Sequence, residues 1–543
     1  MIVKKKKKRL VLVGIAGTQR DFLLSLPTLH CFLYNDKRIK DELDVIQKHY
    51  YYVPRKDLAK MSEKIAADVI NLKPDFVGLS CYVWNIKCML TVSDILRHKI
   101  RNVRIILGGP EITIAGILGG AFNNSGVDFL IFGEGEKPLA ALMLNEISKS
   151  KRVLDEMKGV ALRKGNHFIC SPSFDIIENL VGEPSPYLKG FISDNILVEP
   201  GIRVNIETQR GCSFRCAYCF YHKNFPKVRY RSADVVVKEL DYAFKKNIKM
   251  GRITDANFFS DKDFAKKILR GMINRRIKMA LFLEVLPTFL DKELAQLIGE
   301  YIRISPDNRI MIGMGIQTLT QPSLERIRRR IPKNHFEKAF DLLQKEKVII
   351  KSDIILGLPF EKKESYLETL EFITEKMHDG TNFLSLSLLR ILPGTDLVQI
   401  AKEDRLVLDC RDENHFVYET PTMPRKEMLE CLKLNAVATR LLTSLDDNNR
   451  MRIRDFYFET KDYLKLTNAQ ILWYFVKEFD SFLKKNKADS DYVKPDFPNA
   501  EDYYSRDIFV DIPDTWLIEK LSALKKFGLP TGYRNNSKTS YNK

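Results

Sequence analysis

Three cysteines lie within eight positions of a chain that has nine in all: Cys212, Cys216 and Cys219, in the segment ETQRGCSFRCAYCFYHKNF at 207–225. Thiolates are soft ligands that favour zinc or iron–sulfur clusters. A structural zinc ion takes four protein ligands and leaves no open coordination position. His222 follows Cys219 at a spacing that would complete a Cys₃His set. Three cysteines alone would instead hold four irons and leave one iron open to a substrate. The spacing by itself leaves both interpretations open.

The elements around this triplet indicate a barrel. Six apolar runs alternate with amphipathic stretches, and six such units predict a partial (β/α)6 TIM barrel, whose chemistry takes place at the carboxyl ends of its strands. The cysteines follow the first strand at that face, where a zinc knuckle has no reason to lie, so their position favours the cluster. The predicted strands are 202–207, 251–255, 279–285, 309–316, 349–356 and 383–389, and the predicted helices are 232–247, 261–275, 291–302, 321–346, 362–377 and 396–403.

The N-terminal part shows a second alternation. The apolar runs RLVLVGI, DFVGLSCY, VRIILGG and VDFLIFGEGE are separated by helical patterns at 55–71, 86–99 and 136–148. Continuous apolar strands between helices predict an α/β doubly wound, Rossmann-like domain, with any ligand at the carboxyl ends of its strands. The predicted domains are 1–155 (Rossmann-like), 156–200 (a connector with a hairpin turning at Lys164 and Gly165), 201–420 (barrel) and 421–543 (mainly helical, with a disordered tail).

From residue 203 to 400 the chain resembles the radical SAM superfamily, whose motif is three cysteines with gaps of three and two residues. The stretches ETQRGC, RITDANFF, FLEVLPTFLDKE, GMGIQTLTQPSLERIRR, SDIILGLPFEKKESYLETLEF and LLRILPGTDL match it in order. The resemblance implies a [4Fe–4S] cluster on the three cysteines, whose open iron chelates S-adenosylmethionine (SAM) and whose electron cleaves it to a 5′-deoxyadenosyl radical. It implies SAM contacts from Tyr218, Asp255, Glu284, Gln317, Ile355, Gly357, Leu392 and Pro393.

One departure concerns the methionine amine of SAM. The Gly-Gly-Glu run that many members of the superfamily use after the second strand is missing from this sequence. Asp255 and Glu284 are therefore the two candidates for that contact.

Residues 1–150 resemble the cobalamin-binding domain that precedes the barrel in a large subgroup of this superfamily, through DFVGLSCYVWN, ILGGPEIT and VDFLIFGEGEKP. Glycines after a strand let backbone approach a ligand, although tight turns explain any single glycine pair and a nucleotide or flavin also suits such a sheet. The chain has no Asp-x-His-x-x-Gly, which implies no protein histidine below the cobalt, and His30 is expected to be a packed helix residue. The resemblance implies cobalamin contacts from Ser80, Tyr82, Trp84, Asn85, Gly108, Gly109, Pro110, Gly133, Glu134, Gly135 and Glu136.

Together the two resemblances imply a cobalamin-dependent radical SAM C-methyltransferase of the class B type. Such an enzyme would methylate an unactivated carbon of a peptide or small natural product through the adenosyl radical and methylcobalamin, with an external one-electron reductant of the flavodoxin or ferredoxin type. Three alternatives remain open. The first is a cyclase, rearrangement or oxidation without methyl transfer, the second an RNA-modifying radical enzyme suggested by ERIRRRI at 325–331, and the third a zinc-stabilised binding protein.

Composition limits the partners. Lys and Arg number 88 against 70 Asp and Glu, a net charge of +18, which we attribute to solubility and the run from Lys4 to Arg9 rather than to nucleic-acid binding. No apolar segment approaches the ~20 residues of a membrane span. The remaining cysteines are scattered (31, 81, 88, 170, 410 and 431), which favours reduced thiols in a cytoplasmic protein. The aromatic residues Trp473, Tyr474 and Phe475 are expected in the core of the C-terminal region.

Overall fold

The computed structural model describes residues 6–18, 20–51, 57–148, 157–307, 309–377, 382–408, 415–442, 448–485 and 514–529. Three predictions fall outside these ranges: Cys410, the domain boundary at 155/156 and the disordered tail. None of the helices in the described ranges has the length and apolar character that crossing a membrane requires.

The N-terminal part forms a seven-stranded sheet in the order β2-β1-β3-β4-β5-β6-β7. The first five strands in that order are parallel, and β6 and β7 extend the sheet as the predicted antiparallel hairpin. This order is that of a doubly wound fold and confirms the predicted class. The strands are β1 Lys8–Ile15, β2 Leu43–Tyr50, β3 Phe76–Ser80, β4 Arg104–Gly108, β5 Phe129–Ile131, β6 Val160–Lys164 and β7 His167–Cys170.

Helices cover both faces of this sheet, because its strands are apolar on both sides. One core contains Val11, Val77 and Ile105 with the third and fourth helices, and the other contains Leu10, Leu12 and the first, second and sixth helices. The helices are α1 Ser25–Asn35, α2 Lys37–Glu42, α3 Leu58–Asn71, α4 Ile86–Lys99, α5 Ile114–Leu118 and α6 Glu136–Ser148.

The second part is an open barrel of six parallel strands in the order β15-β14-β13-β12-β11-β8. Burial alternates along β14, so that every second side chain points into the core around the barrel and the others into its lumen. All six predicted strands are present within two residues of their predicted ends. They are β8 Arg203–Ile206, β11 Met250–Ile253, β12 Ala280–Val285, β13 Ile310–Gln317, β14 Ile349–Leu356 and β15 Asn382–Leu388.

The helices that follow these strands agree with prediction except at one place. The helix predicted over 321–346 is wrong: it is broken between residues 326 and 333, where Arg328 has φ 56° and Pro332 precedes the second helix. Proline lacks the N–H that would continue the first helix. The helices of the barrel and its loops are α7 Asp194–Leu197, α8 Tyr221–Asn224, α9 Ala233–Lys245, α10 Lys262–Asn274, α11 Lys292–Ile304, α12 Gln321–Arg326, α13 Lys333–Lys345, α14 Lys363–Glu375 and α15 Leu397–Glu403.

The C-terminal region is mainly helical, as predicted. The first of its helices packs against β15 and α14 at the open edge of the barrel. Tyr474 and Phe475 are buried in the core that continues from the barrel, and Trp473 packs against that core. The helices are α16 Arg425–Leu442, α17 Asn448–Leu464, α18 Asn468–Lys485 and α19 Asp514–Phe527; the remaining short strands are β9 Gln209–Arg210, β10 Arg229–Tyr230, β16 Val407–Leu408 and β17 Val417–Glu419.

Candidate functional site

The cysteine loop is closed at its base by a two-stranded ladder. β9 pairs with β10, so that residues 211–228 form a loop at the carboxyl end of β8. Gly211 has φ +99°, and a Cβ there would clash with the carbonyl of Lys227, so only glycine fits. The loop is anchored from both sides at Ala217, whose N–H donates to the carbonyl of Ile327 (2.9 Å) and whose carbonyl accepts from the N–H of Leu397 (3.0 Å).

The three thiols share one electrostatic environment. Burial raises the pKa of Cys212 and of Cys219, the neighbouring thiols raise it further, and the charge of Arg329 opposes the rise. In the described ranges no three His, Cys, Asp or Glu side chains are arranged to hold a single metal ion. Three soft thiols beside one buried cation fit an anionic iron–sulfur cluster, which the cysteines would bind as thiolates.

His222, the fourth ligand of the alternative zinc site, lies buried in α8. Its Nδ1 has no hydrogen-bond partner, and burial lowers its pKa, as do Lys223 and Arg215. The charges that act on it most strongly are those of these two cations, Asp396 and Arg328.

A cavity of about 900 Å³ opens beside this loop, between the carboxyl ends of the barrel strands and the loops that follow β1 and β3 of the N-terminal sheet. Both halves of the molecule therefore contribute to one space. Its lining residues are Gly17, Val83, Trp84, Tyr218, Cys219, Tyr221, Arg252, Thr254, Asp255, Ala256, Glu284, Val285, Leu286, Gly315, Gln317, Arg329, Lys351, Asp353, Ile355, Ser387, Leu388, Leu389, Arg390 and Leu392.

Eight of the residues predicted from the sequence meet at this cavity. They are Trp84, Tyr218, Cys219, Asp255, Glu284, Gln317, Ile355 and Leu392. The other predicted residues are not among those that line it.

The two candidates for the SAM amine differ in how their oxygens are used. Asp255 is buried, and its carboxylate accepts from the N–H groups of Thr208 (2.9 Å) and Gln209 (3.1 Å) and from the Thr208 hydroxyl. Burial raises the pKa of Asp255 to about 7. Glu284 faces the lumen, 3.7 Å from the guanidinium of Arg252, and burial also raises its pKa. Asp255 thus fixes the strand that leads into the cysteine loop, whereas Glu284 is the more open of the two.

Backbone geometry places the remaining SAM candidates. Gln317 has φ +66° at a bulge in the pairing of β13 with β14, which turns its side chain towards the cavity. Gly357 has φ +94° just after β14, where the chain leaves the barrel. Leu392 lines the cavity, and Pro393 is the next residue along the chain.

Several charged lining residues were not predicted from the sequence. Arg252 and Lys351 lie over the same Phe282 ring, at 5.1 and 5.9 Å from its centroid, and Lys351 forms an ion pair with Asp353. The sequence of β14 contained a pattern that could have identified two of them. Lys351, Asp353 and Ile355 lie at every second position, so their side chains share one face of the strand. Arg329 carried no comparable signal, because it lies in a run of arginines.

On the N-terminal side, the loop after β3 reaches the cavity through Trp84. The indole stacks on Tyr82 (centroids 4.5 Å apart) and donates through Nε1 to the carbonyl of Ile15 at 3.0 Å. Asn85 holds the loop: its Oδ1 accepts from the N–H of Tyr82, and its Nδ2 donates to the carbonyls of Ser80 and Ile15. The loop thus presents a rigid aromatic face, which fits a flat cofactor such as a corrin.

The predicted glycines are explained at two positions by packing within the chain. Gly109 has φ +112°, and a Cβ there would lie 2.5 Å from the carbonyl oxygen of Cys81. Gly133 has φ +76°, and a Cβ there would clash with the Phe174 ring. Of the others, Gly108 ends β4, Pro110 follows two residues later, and Gly135 immediately precedes α6.

Glu134 and Glu136 join the N-terminal sheet to the barrel. Arg210, two residues before Cys212, pairs with Glu134 (3.1 Å), Glu136 (2.6 Å) and Glu207 (2.9 Å). Arg229 pairs with Glu134 as well. These side chains, apart from that of the half-buried Glu207, are almost wholly buried. The contacts therefore link the loop after β5 directly to the base of the cysteine loop.

The basic run at 325–331 is largely neutralised. Arg326 pairs with Asp404 (2.7 Å) and Glu403 (2.7 Å), and Arg328 pairs with Asp396. Arg329 is buried at the cavity. The run therefore does not form a continuous exposed basic stripe.

Comparison with known families agrees with this architecture. Residues 206–373 match the Radical SAM superfamily model, and residues 45–143 match the B12 binding domain model. The first match contains the three cysteines and four of the six barrel strands, β11 to β14, and the second contains the loops that carry Trp84 and Gly109. The first domain implies a [4Fe–4S] cluster and SAM, and the second implies cobalamin.

Two curated relatives align over about three-quarters or more of the chain. The chain is 25% identical over 410 residues to the cobalamin-dependent radical SAM methyltransferase TokK of Streptomyces tokunonensis, covering 74% of this chain and 57% of TokK. It is 22% identical over 472 residues to 2-(S-pantetheinyl)-carbapenam-3-carboxylate methyltransferase of Streptantibioticus cattleyicolor, covering 81% and 67%. The chain thus spans about three-fifths to two-thirds of the length of these relatives.

A solved structure shares the fold over nearly the whole chain. The cobalamin-dependent radical enzyme OxsB, with aqua-cobalamin and SAM bound, superposes with a TM-score of 0.63 at 14% identity, covering 97% of this chain and 82% of OxsB. At this identity the similarity establishes the fold.

Proposed function

Because the chain belongs to the radical SAM superfamily and carries a B12-binding domain, we propose that it is a cobalamin-dependent radical SAM methyltransferase acting on an unactivated carbon. The observation that carries the proposal is the single cavity lined by the cysteine loop, the barrel strands and Trp84 of the N-terminal sheet. A methyl donor and a hydrogen-abstracting group must reach the same carbon, and a cavity shared by both domains brings them together.

When bound, the cluster with SAM supplies a hydrogen-abstracting radical, and cobalamin supplies a transferable methyl group. Cys212, Cys216 and Cys219 would hold the cluster. Glu284 would hold the methionine amine, because its carboxylate faces the cavity while the oxygens of Asp255 are already engaged. The stacked pair of Trp84 and Tyr82 would support the corrin.

The lining of the lumen supports a polar substrate with charged groups. Arg252 and Lys351 present cations, and Asp353 presents a carboxylate to the same cavity. Such a lining orients a polar molecule through its charged groups while the apolar residues Val285, Leu286 and Leu388 exclude water from the reacting carbon. A natural-product intermediate or peptide with charged groups fits this lining; the name of the Streptantibioticus cattleyicolor relative contains one such group, a carboxylate. A flavodoxin or ferredoxin type of protein would supply the electron.

The test uses the full chain purified without oxygen and loaded with iron, sulfide and hydroxocobalamin. With SAM, a one-electron donor and candidate acceptors, we expect both 5′-deoxyadenosine and S-adenosylhomocysteine, and a product heavier by one methyl group. The Cys212→Ala variant should form no 5′-deoxyadenosine. Formation of 5′-deoxyadenosine without S-adenosylhomocysteine would support a cyclase or rearrangement with the same cofactors. A protein that binds zinc alone and cleaves no SAM would refute the proposal.

A further inference from the structure

A buried arginine contacts a cluster-ligating cysteine. Arg329 is only 6% exposed, and its Nη1 lies 3.7 Å from the Sγ of Cys216, to which it donates. Its Nη2 donates to the carbonyl of Gly315, and its Nε is buried without an acceptor. No ion pair joins Arg329 to a carboxylate in the part of the chain that the structure describes. The groups that interact with its charge include Tyr218, Cys216 and Cys212, and Glu284 does so without ion-pair contact.

The fold fixes this arginine in place. The break between α12 and α13 turns the chain towards the cysteine loop, and the N–H of Arg329 donates to the carbonyl of Leu324 at 2.8 Å. Two residues earlier, the carbonyl of Ile327 accepts from the N–H of Ala217, which lies between Cys216 and Tyr218. Backbone hydrogen bonds therefore fix the segment that carries Arg329, and one of them joins this segment to the cysteine loop.

A buried cation without an ion-pair partner is strongly destabilising. The contacts of Arg329 indicate where the anion would lie. Its Nη1 donates to the sulfur of Cys216, its Nε is buried without an acceptor, and the residue lines the cavity. A [4Fe–4S] cluster held by three thiolates is an anion, and it becomes more negative when it gains an electron.

We propose that Arg329 is the counter-charge of the cluster and raises its reduction potential. A nearby cation stabilises the reduced, more negative cluster more than the oxidised one, and an N–H···S hydrogen bond to a cysteine ligand acts in the same direction. The inference rests on the proposed function, since it needs a cluster at the three cysteines. Arg329 acts through the cluster and does not itself touch the substrate.

The first test measures the potential of the loaded, full-length protein by redox titration, with the electron paramagnetic resonance (EPR) signal of the reduced cluster as the readout. Arg329→Gln should lower the reduction equilibrium constant at least tenfold, which is about 59 mV for one electron. Arg329→Lys keeps the charge and should shift it less. The matched control is Arg330→Gln, which removes an equal charge from the exposed neighbouring residue and should leave the potential unchanged.

The second test compares thermal unfolding with and without the cluster. In the protein without cluster, Arg329→Gln should be at least as stable as the unsubstituted chain, because it removes an uncompensated buried charge. In the loaded protein the same variant should gain less stability from the cluster, or fail to retain it. Both tests concern Arg329 rather than general stability, since a merely structural role would weaken the protein equally in both states.

Three results would overturn the inference: an unchanged potential in Arg329→Gln, an equal shift in Arg330→Gln, or equal destabilisation of Arg329→Gln with and without the cluster. In the first two cases the unsubstituted protein would still load the cluster and cleave SAM, so the proposed function would stand. If the unsubstituted protein loaded no cluster, the proposed function itself would fail.

Discussion

Removing the carboxylate of Glu134 should destabilise the junction between the two domains far more than an exposed ion pair would suggest. Glu134 is 2% exposed, pairs with Arg210 and Arg229, and accepts from the N–H of Ile177 at 3.1 Å. In Glu134→Ala, Arg210 keeps two other carboxylates. Among the described residues, Arg229 keeps only the carbonyls of Ile177 and Lys227, so one buried guanidinium loses its charge partner.

The expected loss is therefore that of one uncompensated buried charge, about 3–5 kcal/mol. Glu134→Gln keeps one acceptor oxygen but replaces the other with an NH2 donor and loses the charge, so it should cost at least about 1.5–3 kcal/mol, the value of a hydrogen bond to a charged group. The matched control is Glu178→Ala, which breaks the Lys227–Glu178 pair (3.0 Å) on the exposed side of the same loop. That change should cost at most about 1 kcal/mol.

Denaturant unfolding of each variant measures these differences in the free energy of unfolding. In the Glu134→Ala background, Arg229→Met should recover much of the loss, because it removes the orphaned charge. If Glu134→Ala cost no more than Glu178→Ala, the buried network would not stabilise the junction, and the reasoning would be refuted.

Three further predictions concern the cluster loop, a buried acid and the cobalamin face. Gly211→Ala should prevent cluster loading, seen as loss of bound iron, because its Cβ would clash with the Lys227 carbonyl; full iron content would contradict this. Burial raises the pKa of Glu361 to about 8, so the folded protein holds this proton, and its stability should fall by about 1.4 kcal/mol per unit as pH rises between about 5 and 8. Glu361→Gln should abolish that part of the slope in thermal unfolding, and an unchanged slope would exclude Glu361 as its source. Trp84→Ala should lower corrinoid retention, measured by absorbance after gel filtration, without changing bound iron; equal retention would remove Trp84 from the cobalamin face.

The barrel strands could be predicted because each combines a short apolar run with a clear end. The edge strand β2 was not predicted: its sequence, LDVIQKHY, is half polar, since this strand lies at the border of the sheet. The break between α12 and α13 was missed because the apolar period continues across it. At this place the helix ends in spite of the apolar period, because Pro332 cannot continue it and the carbonyl of Ile327 bonds to the cysteine loop instead.

The site was partly predictable for similar reasons. Spacing identified the cysteines, and the resemblance identified residues such as Glu284 and Gln317 at strand ends. Arg329 could not be separated from its neighbours, because only the fold decides which arginine of the run is buried. Sequence also gave no sign that Glu134 faces Arg210, since 76 residues separate them along the chain.

The central claim is that the cluster and cobalamin share one cavity. Its most direct measurement is EPR spectroscopy of the protein that holds both cob(II)alamin and the reduced cluster. We expect dipolar splitting or broadening of the cobalt signal that disappears when the cluster is oxidised. Two independent signals, each identical to that of protein loaded with one cofactor alone, would contradict the account.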